Sequence, residues 1–141
     1  MSRYLEFFQN HPILVMAFIG VAGGLVWTLL SGRTMGLRRI AGTEATRLIN
    51  SEDALVVDVR TDAEFRPGHI INAINVPEKQ LDSNLDKLEK YREKPLIMVC
   101  RTGQIASRVG SALKKKGFDK VHVLEGGLMA WESANLPLAR K

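Results

Sequence analysis

The 141-residue chain holds a single cysteine, Cys100. No disulfide can close within it, and no multi-cysteine zinc site can be assembled. Its three histidines stand far apart, and no metal-ligand spacing, phosphate-binding glycine motif or serine triad appears. The sequence therefore calls for no metal and no cofactor. Internal repeats and low-complexity tracts are also missing. With 45% hydrophobic and 25% charged residues, the composition is that of a globular chain rather than a disordered one. The length suffices for one compact domain and little else.

The net charge of +5 is not distributed as a nucleic-acid surface requires. Residues 1–40 carry Arg3, Arg33, Arg38 and Arg39 against Glu6, and the remaining chain is nearly balanced. Most of the surplus flanks an apolar stretch. Nucleic acid is not an expected partner.

That stretch, Ile13 to Leu30, reads ILVMAFIGVAGGLVWTLL, 18 positions without a charge. As a helix it covers roughly 27 Å, close to the hydrocarbon thickness of a bilayer. Trp27 lies near one end, where an indole favours the interface. A core helix of a small domain is seldom uncharged all round. A cleaved signal peptide has a shorter apolar region and a small-residue cleavage pattern, which is not evident after Leu30. The expectation is a retained transmembrane helix over 13–30, after an N-terminal tail over 1–12 and before a juxtamembrane linker over 31–42. Arg33, Arg38 and Arg39 follow the span and only Arg3 precedes it, so the C-terminal side is expected in the cytoplasm. Gly20 and Gly24 have the spacing that lets two helices approach closely, a weak signal of pairing.

Residues 43–141 alternate apolar runs with helical patterns. Thr43 can cap a helix in which Ala45, Leu48 and Ile49 share a face. Ala54 to Val59 is a short β-branched run, and Thr61 with Glu64 makes the spacing of a capping box. Ile70 to Val76 is a further apolar stretch, and Leu81, Leu85 and Leu88 repeat at helical spacing. Leu96 to Val99 leads into Cys100. Ala106, Val109, Ala112 and Leu113 mark a helix that Gly117 stops, and Lys120 to Leu124 is the last strand. Gly126-Gly127 reads as a strand-to-helix turn before a helix whose Trp131 belongs to the core. Strands of continuous apolar residues between helices indicate a parallel α/β sheet covered on both faces. Ligands of such sheets collect at the carboxyl ends of the strands, where Asp58, Arg60 and Cys100 fall.

After Cys100 the loop Arg101-Thr102-Gly103-Gln104 enters a helix near Ile105. Such a loop turns backbone N–H groups toward one point and adds the positive end of a helix dipole. A thiolate or an anionic substrate is stabilised there, and Arg101 adds a nearby cation. The residues alone leave open a reactive cysteine and a buried structural one. His69 and His122 read as packing histidines, and His11 has no visible partner. Lys114, Lys115 and Lys116 read as a solvated helix end.

Three segments resemble the rhodanese-like domain family. Asp58 to Pro77 (DVRTDAEFRPGHIINAINVP) resembles its first signature, and Cys100 to Phe118 (CRTGQIASRVGSALKKKGF) its active-site loop and following helix. Val121 to Leu138 (VHVLEGGLMAWESANLPL) resembles its C-terminal signature. A single-pass anchor ahead of one such domain also resembles a group of bacterial inner-membrane proteins. The resemblance implies a sheet of about five parallel strands with helices on both faces, preceded by one transmembrane helix. It implies a sulfurtransferase that accepts a sulfane sulfur from a small anion such as thiosulfate, holds it as a persulfide, and passes it to cyanide or a thiol. By position, Cys100 is the nucleophile, and the N–H groups of Arg101, Thr102, Gly103, Gln104, Ile105 and Ala106 form the anion cradle. Asp58 and Arg60 organise the neighbouring strand end, with Glu64 offered as a partner for Arg60.

Two positions depart from the family pattern. Ile105 and Ala106 stand where many members carry Arg and Ser, which removes a cation and a hydroxyl and leaves donor preference and rate open. The related dual-specificity phosphatases need an arginine six positions after cysteine, and Arg108 is two positions late. The competing reading is an idle rhodanese module that acts as a binding scaffold at the membrane. The lipid bilayer is an expected partner in both cases, and a protein sulfur acceptor or membrane partner stays open.

Overall fold

The computed structural model describes residues 1–35 and 37–140, with side chains described except at residue 2 and residues 31–35. Two compact units divide the chain after Gly36.

The first unit is helical. Helix α1 spans Ser2–Asn10, where a tail was expected, because nothing between residues 1 and 11 breaks a helix and Pro12 starts the next one. Helix α2, Pro12–Met35, opens with proline at its first position, where the missing N–H costs nothing. Its segment Pro12–Leu30 has 19 residues, a mean hydropathy of 2.3 and no buried share, and is long and apolar enough to cross a membrane.

The linker expected over 31–42 is not one segment. Helix α2 takes up its first residues, Gly36 lies outside the described residues, and Arg38–Ile40 form strand β1. The second unit then follows as helix α3 (Gly42–Glu52), strand β2 (Leu55–Asp58), helix α4 (Asp62–Phe65) and strand β3 (Ile74–Asn75). Two 3-10 turns (Glu78–Gln80 and Asp82–Asn84) lead to helix α5 (Leu85–Glu89). Strand β4 (Leu96–Val99), helix α6 (Gln104–Lys115), strand β5 (Val121–Leu124) and helix α7 (Gly127–Ser133) complete it. Helix α3 is capped by Ala41, not Thr43, and no side chain takes up its first amides.

All strand pairs are parallel, in the order β1-β5-β4-β2-β3. Alternate residues feed two apolar layers. Val57, Met98, Val121 and Val123 face Leu88, Val109 and Leu113 on one side. Val56, Ile97, Val99 and Leu124 face Leu48, Leu128 and Trp131 on the other. Strand β4 is buried along its whole length, as a central parallel strand must be.

From β2 the chain first adds β3 on one side and then crosses back to add β4 on the other. The direction of growth reverses between β2 and β4, and a crevice opens at their carboxyl ends. Asp58 pairs in register with Val99, so the residues after β2 lie beside Cys100.

Candidate active site

Strand β4 ends one residue before Cys100, whose residue surface is 2% exposed. Gly103 turns the loop back with φ +100, a conformation that favours glycine, and serves as the N-cap of α6. The turn aims two amides at the sulfur. The N–H of Gly103 donates to Sγ at 2.9 Å and that of Ala106 at 3.4 Å. They come from the N-cap and the first turn of a 12-residue helix, so the positive end of its dipole meets the same atom. These are the ligands a sulfur anion needs.

The loop is held from behind by α7. Leu128 N–H donates to the Cys100 carbonyl at 2.9 Å, and Met129 N–H to that of Arg101 at 3.2 Å. Gly127 sits so close that a Cβ would collide with both carbonyl oxygens. The Gly126-Gly127 turn therefore has a second task, which is to let helix and loop backbones touch.

Beside the cysteine, Asp58 and Arg60 form a buried clamp. Arg60 Nη2 lies 2.8 Å from Asp58 Oδ2, and Arg60 Nε donates to Oδ1 at 3.0 Å. The Arg60 amide also donates to Oδ1, and Nη2 reaches the Gly68 carbonyl at 2.8 Å. Glu64 is not the partner of Arg60. Its carboxylate closes the capping box with Thr61, so Asp58 takes the guanidinium instead. Asn75 completes the strand end by donating to the carbonyls of Asp58 and Arg60 at 3.1 and 2.9 Å.

A cleft of about 550 Å³ opens over Cys100. Arg60, Arg101 and Ile105 line it, with Lys79, Lys87 and Asn84 from the segment that follows β3. Thr102 and Gln104, expected in the cradle, are exposed and do not line this cleft. Among the described residues no group of three or more His, Cys, Asp or Glu side chains is placed to hold a metal ion.

Residues 42–134 match the model of the rhodanese-like domain. The chain belongs to the rhodanese-like domain family. The uncharacterized protein YibN of Escherichia coli is 40% identical over 141 residues, covering 99% of each chain. A sulfurtransferase of Allochromatium vinosum is 33% identical, over 65% of this chain and 84% of its own. The crystal structure of a rhodanese-related protein from Thermoplasma volcanium superposes with a TM-score of 0.67 at 27% identity, covering 74% of this chain and 99% of that one. Family and relatives together support a sulfurtransferase-type function.

Within this rhodanese-like domain His69, Trp131 and Arg108 have structural partners. His69 stacks on Phe65 with centroids 3.9 Å apart, donates from Nδ1 to the Phe65 carbonyl, and pairs its backbone with Ala139. Trp131 is buried and donates from Nε1 to the Pro137 carbonyl at 3.0 Å. Arg108 is drawn to Glu78 at 2.9 Å and does not line the cleft, so no phosphate clamp stands over the cysteine. His122 keeps Nδ1 buried without a hydrogen-bond partner. Burial, then the charge of nearby Arg38, holds its pKa below the ordinary value.

Sequence reasoning missed Asn75, Lys79 and Lys87. Asn75 lies inside the apolar stretch from Ile70 to Val76, and the lysines belong to no motif. Their roles depend on how the chain returns over the crevice.

Proposed function

We propose that the protein is a membrane-anchored rhodanese-type sulfurtransferase that carries a sulfane sulfur on Cys100. The observation that carries this reading is the placement of Sγ, hydrogen-bonded by the Gly103 and Ala106 amides at the base of an open cleft. The Cys100 thiolate attacks the outer sulfur of thiosulfate. A new S–S bond forms to Sγ, the S–S bond of the donor breaks, and its electron pair leaves with sulfite. The added sulfur becomes the terminal, anionic atom of a persulfide, within reach of the amides and the helix dipole. Cyanide or a thiol, free or borne by a protein, then attacks that outer sulfur, and the electron pair returns to Cys100 as thiolate. The Asp58–Arg60 clamp holds the wall of the cleft and takes no part in bond making.

The anchor in this reading is Pro12–Leu30. The surplus of arginines after the span supports a cytoplasmic domain on a bacterial inner membrane. A reporter fused after the last residue is expected to show cytoplasmic activity, and periplasmic activity overturns this orientation.

Intact-mass analysis of the full chain in detergent tests the chemistry. Thiosulfate is expected to add one sulfur atom, Cys100→Ser to take up none, and cyanide to remove the sulfur as thiocyanate. An unmodified thiol that releases no thiocyanate supports the scaffold reading instead.

A further inference from the structure

Helix α1 carries a pattern that the sulfur chemistry does not use. Its nine residues, Ser2–Asn10, sort into two sides at about 3.6 residues per turn. Tyr4, Leu5, Phe7 and Phe8 share one side, and Arg3, Glu6, Gln9 and Asn10 share the other. The four apolar residues are 54–75% exposed, so that side of the helix is open. Phe7 meets Phe8 edge-on with ring centroids 6.4 Å apart, and its ring lies 5.2 Å from that of His11. The aromatic surface thus runs to the end of the helix.

What covers this side follows from the chain that comes next. His11 leaves the helical backbone with φ −131 and ψ 55, as a residue before proline does, and its N–H donates to the Phe7 carbonyl at 3.1 Å. Pro12 then opens α2, whose segment Pro12–Leu30 is apolar on every side. One residue therefore separates a helix of divided character from the candidate span, and the break at His11 gives α1 a direction of its own. A helix this short is marginal in water, and four exposed apolar side chains disfavour water further. With one arginine and one glutamate, α1 offers no charge surplus for an electrostatic partner. Aromatic side chains next to the end of a span suit the membrane interface, as Trp27 does near the other end.

Resting on the membrane-anchored reading, we propose that α1 lies in the plane of the membrane interface and binds the lipid surface through Tyr4, Leu5, Phe7 and Phe8. The partner is phospholipid at the boundary between headgroups and acyl chains, in the periplasmic leaflet under the orientation given above. Arg3, Glu6, Gln9 and Asn10 face the headgroups and water. The helix fixes the depth of the amino end of the span, while Trp27 and the arginines that follow Leu30 fix the other end.

Nitroxide labels on single cysteines, introduced with Cys100→Ser into the full chain, read the depth of each site. The vesicles are phosphatidylethanolamine and phosphatidylglycerol. Collisions with oxygen report lipid, and collisions with a water-soluble nickel chelate report water. The label at Phe8→Cys is expected about 5–10 Å below the phosphates, and that at Glu6→Cys on the water side of them. Tyr4→Cys and Gln9→Cys repeat the comparison, so that one disturbed helix does not decide it. Val21→Cys, inside the candidate span, reads the membrane itself. Nickel contact at positions 4 and 8 equal to that at 6 and 9, with position 21 in lipid, overturns the inference and leaves the membrane-anchored reading in place. A label at position 8 shut off from both probes also overturns it, because the cover is then protein, a second copy or another chain. Nickel contact at position 21 overturns both.

Discussion

Nη2 of Arg60 lies 2.8 Å from Oδ2 of Asp58, two residues back along the same chain, and the carboxylate it meets is 1% exposed. The pair closes the end of β2 with side-on geometry, and the arginine spans from there to the Gly68 carbonyl. One short-range ion pair thereby fixes the wall beside Cys100 and the return of the chain after α4.

Removing one member leaves the other charge buried without its partner. Asp58→Ala is expected to destabilise the domain by about 3–5 kcal/mol. The urea midpoint of the full chain in detergent measures it, and a change below about 1 kcal/mol contradicts the structural role given to the pair.

Gly127→Ala tests the contact between α7 and the cysteine loop. The residue has φ +59, and its Cβ would meet two carbonyl oxygens. A loss of more than about 1 kcal/mol in stability is expected, with a matching fall in the sulfur loaded on Cys100. Thermal melting and intact mass read the two effects. Normal loading in a destabilised variant would show that the loop keeps its shape without the latch.

Ile105→Arg places a cation where the cleft has an exposed aliphatic side chain. Thiosulfate turnover is expected to rise roughly three- to tenfold in kcat/KM. Stability should change by no more than about 0.5 kcal/mol, because the position faces solvent. Thiocyanate release measures the first, and an unchanged rate would locate the limit on thiosulfate elsewhere.

His122 gives the domain a pH dependence. Burial, then the charges of Arg38 and Lys114, lower its pKa from the ordinary 6.5, against the opposing pull of Glu52 and Glu44. The unfolded chain binds the proton more readily, so this contribution is complete above pH 6.5 and is lost as pH falls below it. His122→Gln is expected to flatten the decline between about pH 7 and pH 5.5. Urea midpoints across that range, parent against variant, decide it, and parallel slopes would contradict the assignment.

Sequence periodicity was enough to locate β2, β4, β5 and α6, because each buries a continuous apolar run or one apolar face. The capping box of Thr61 and Glu64 was legible because its two residues interact locally. Strand β1 was not. Arg38-Arg39-Ile40 carries two charges in three residues and becomes a strand because β5 offers it a parallel edge. The apolar stretch over 70–76 yields only Ile74–Asn75 as strand, since Asn72 turns the backbone to φ 62. The leucine repeat at 81, 85 and 88 breaks into a 3-10 turn and a short helix that lie over the crevice. Within the site, Cys100 and the glycine of its loop could be read from spacing, whereas Asn75, Lys79 and Lys87 are joined to it only by tertiary folding.

Cys100 follows the middle strand of five, pinned by neighbours on either side, while the residues facing it across the crevice sit in two brief turns and a short helix. The floor of the cleft and its rim are thus encoded in separable parts of the sequence. Under the proposed sulfurtransferase function, drift in the turns can alter the rim generation after generation without disturbing the sulfur at the floor.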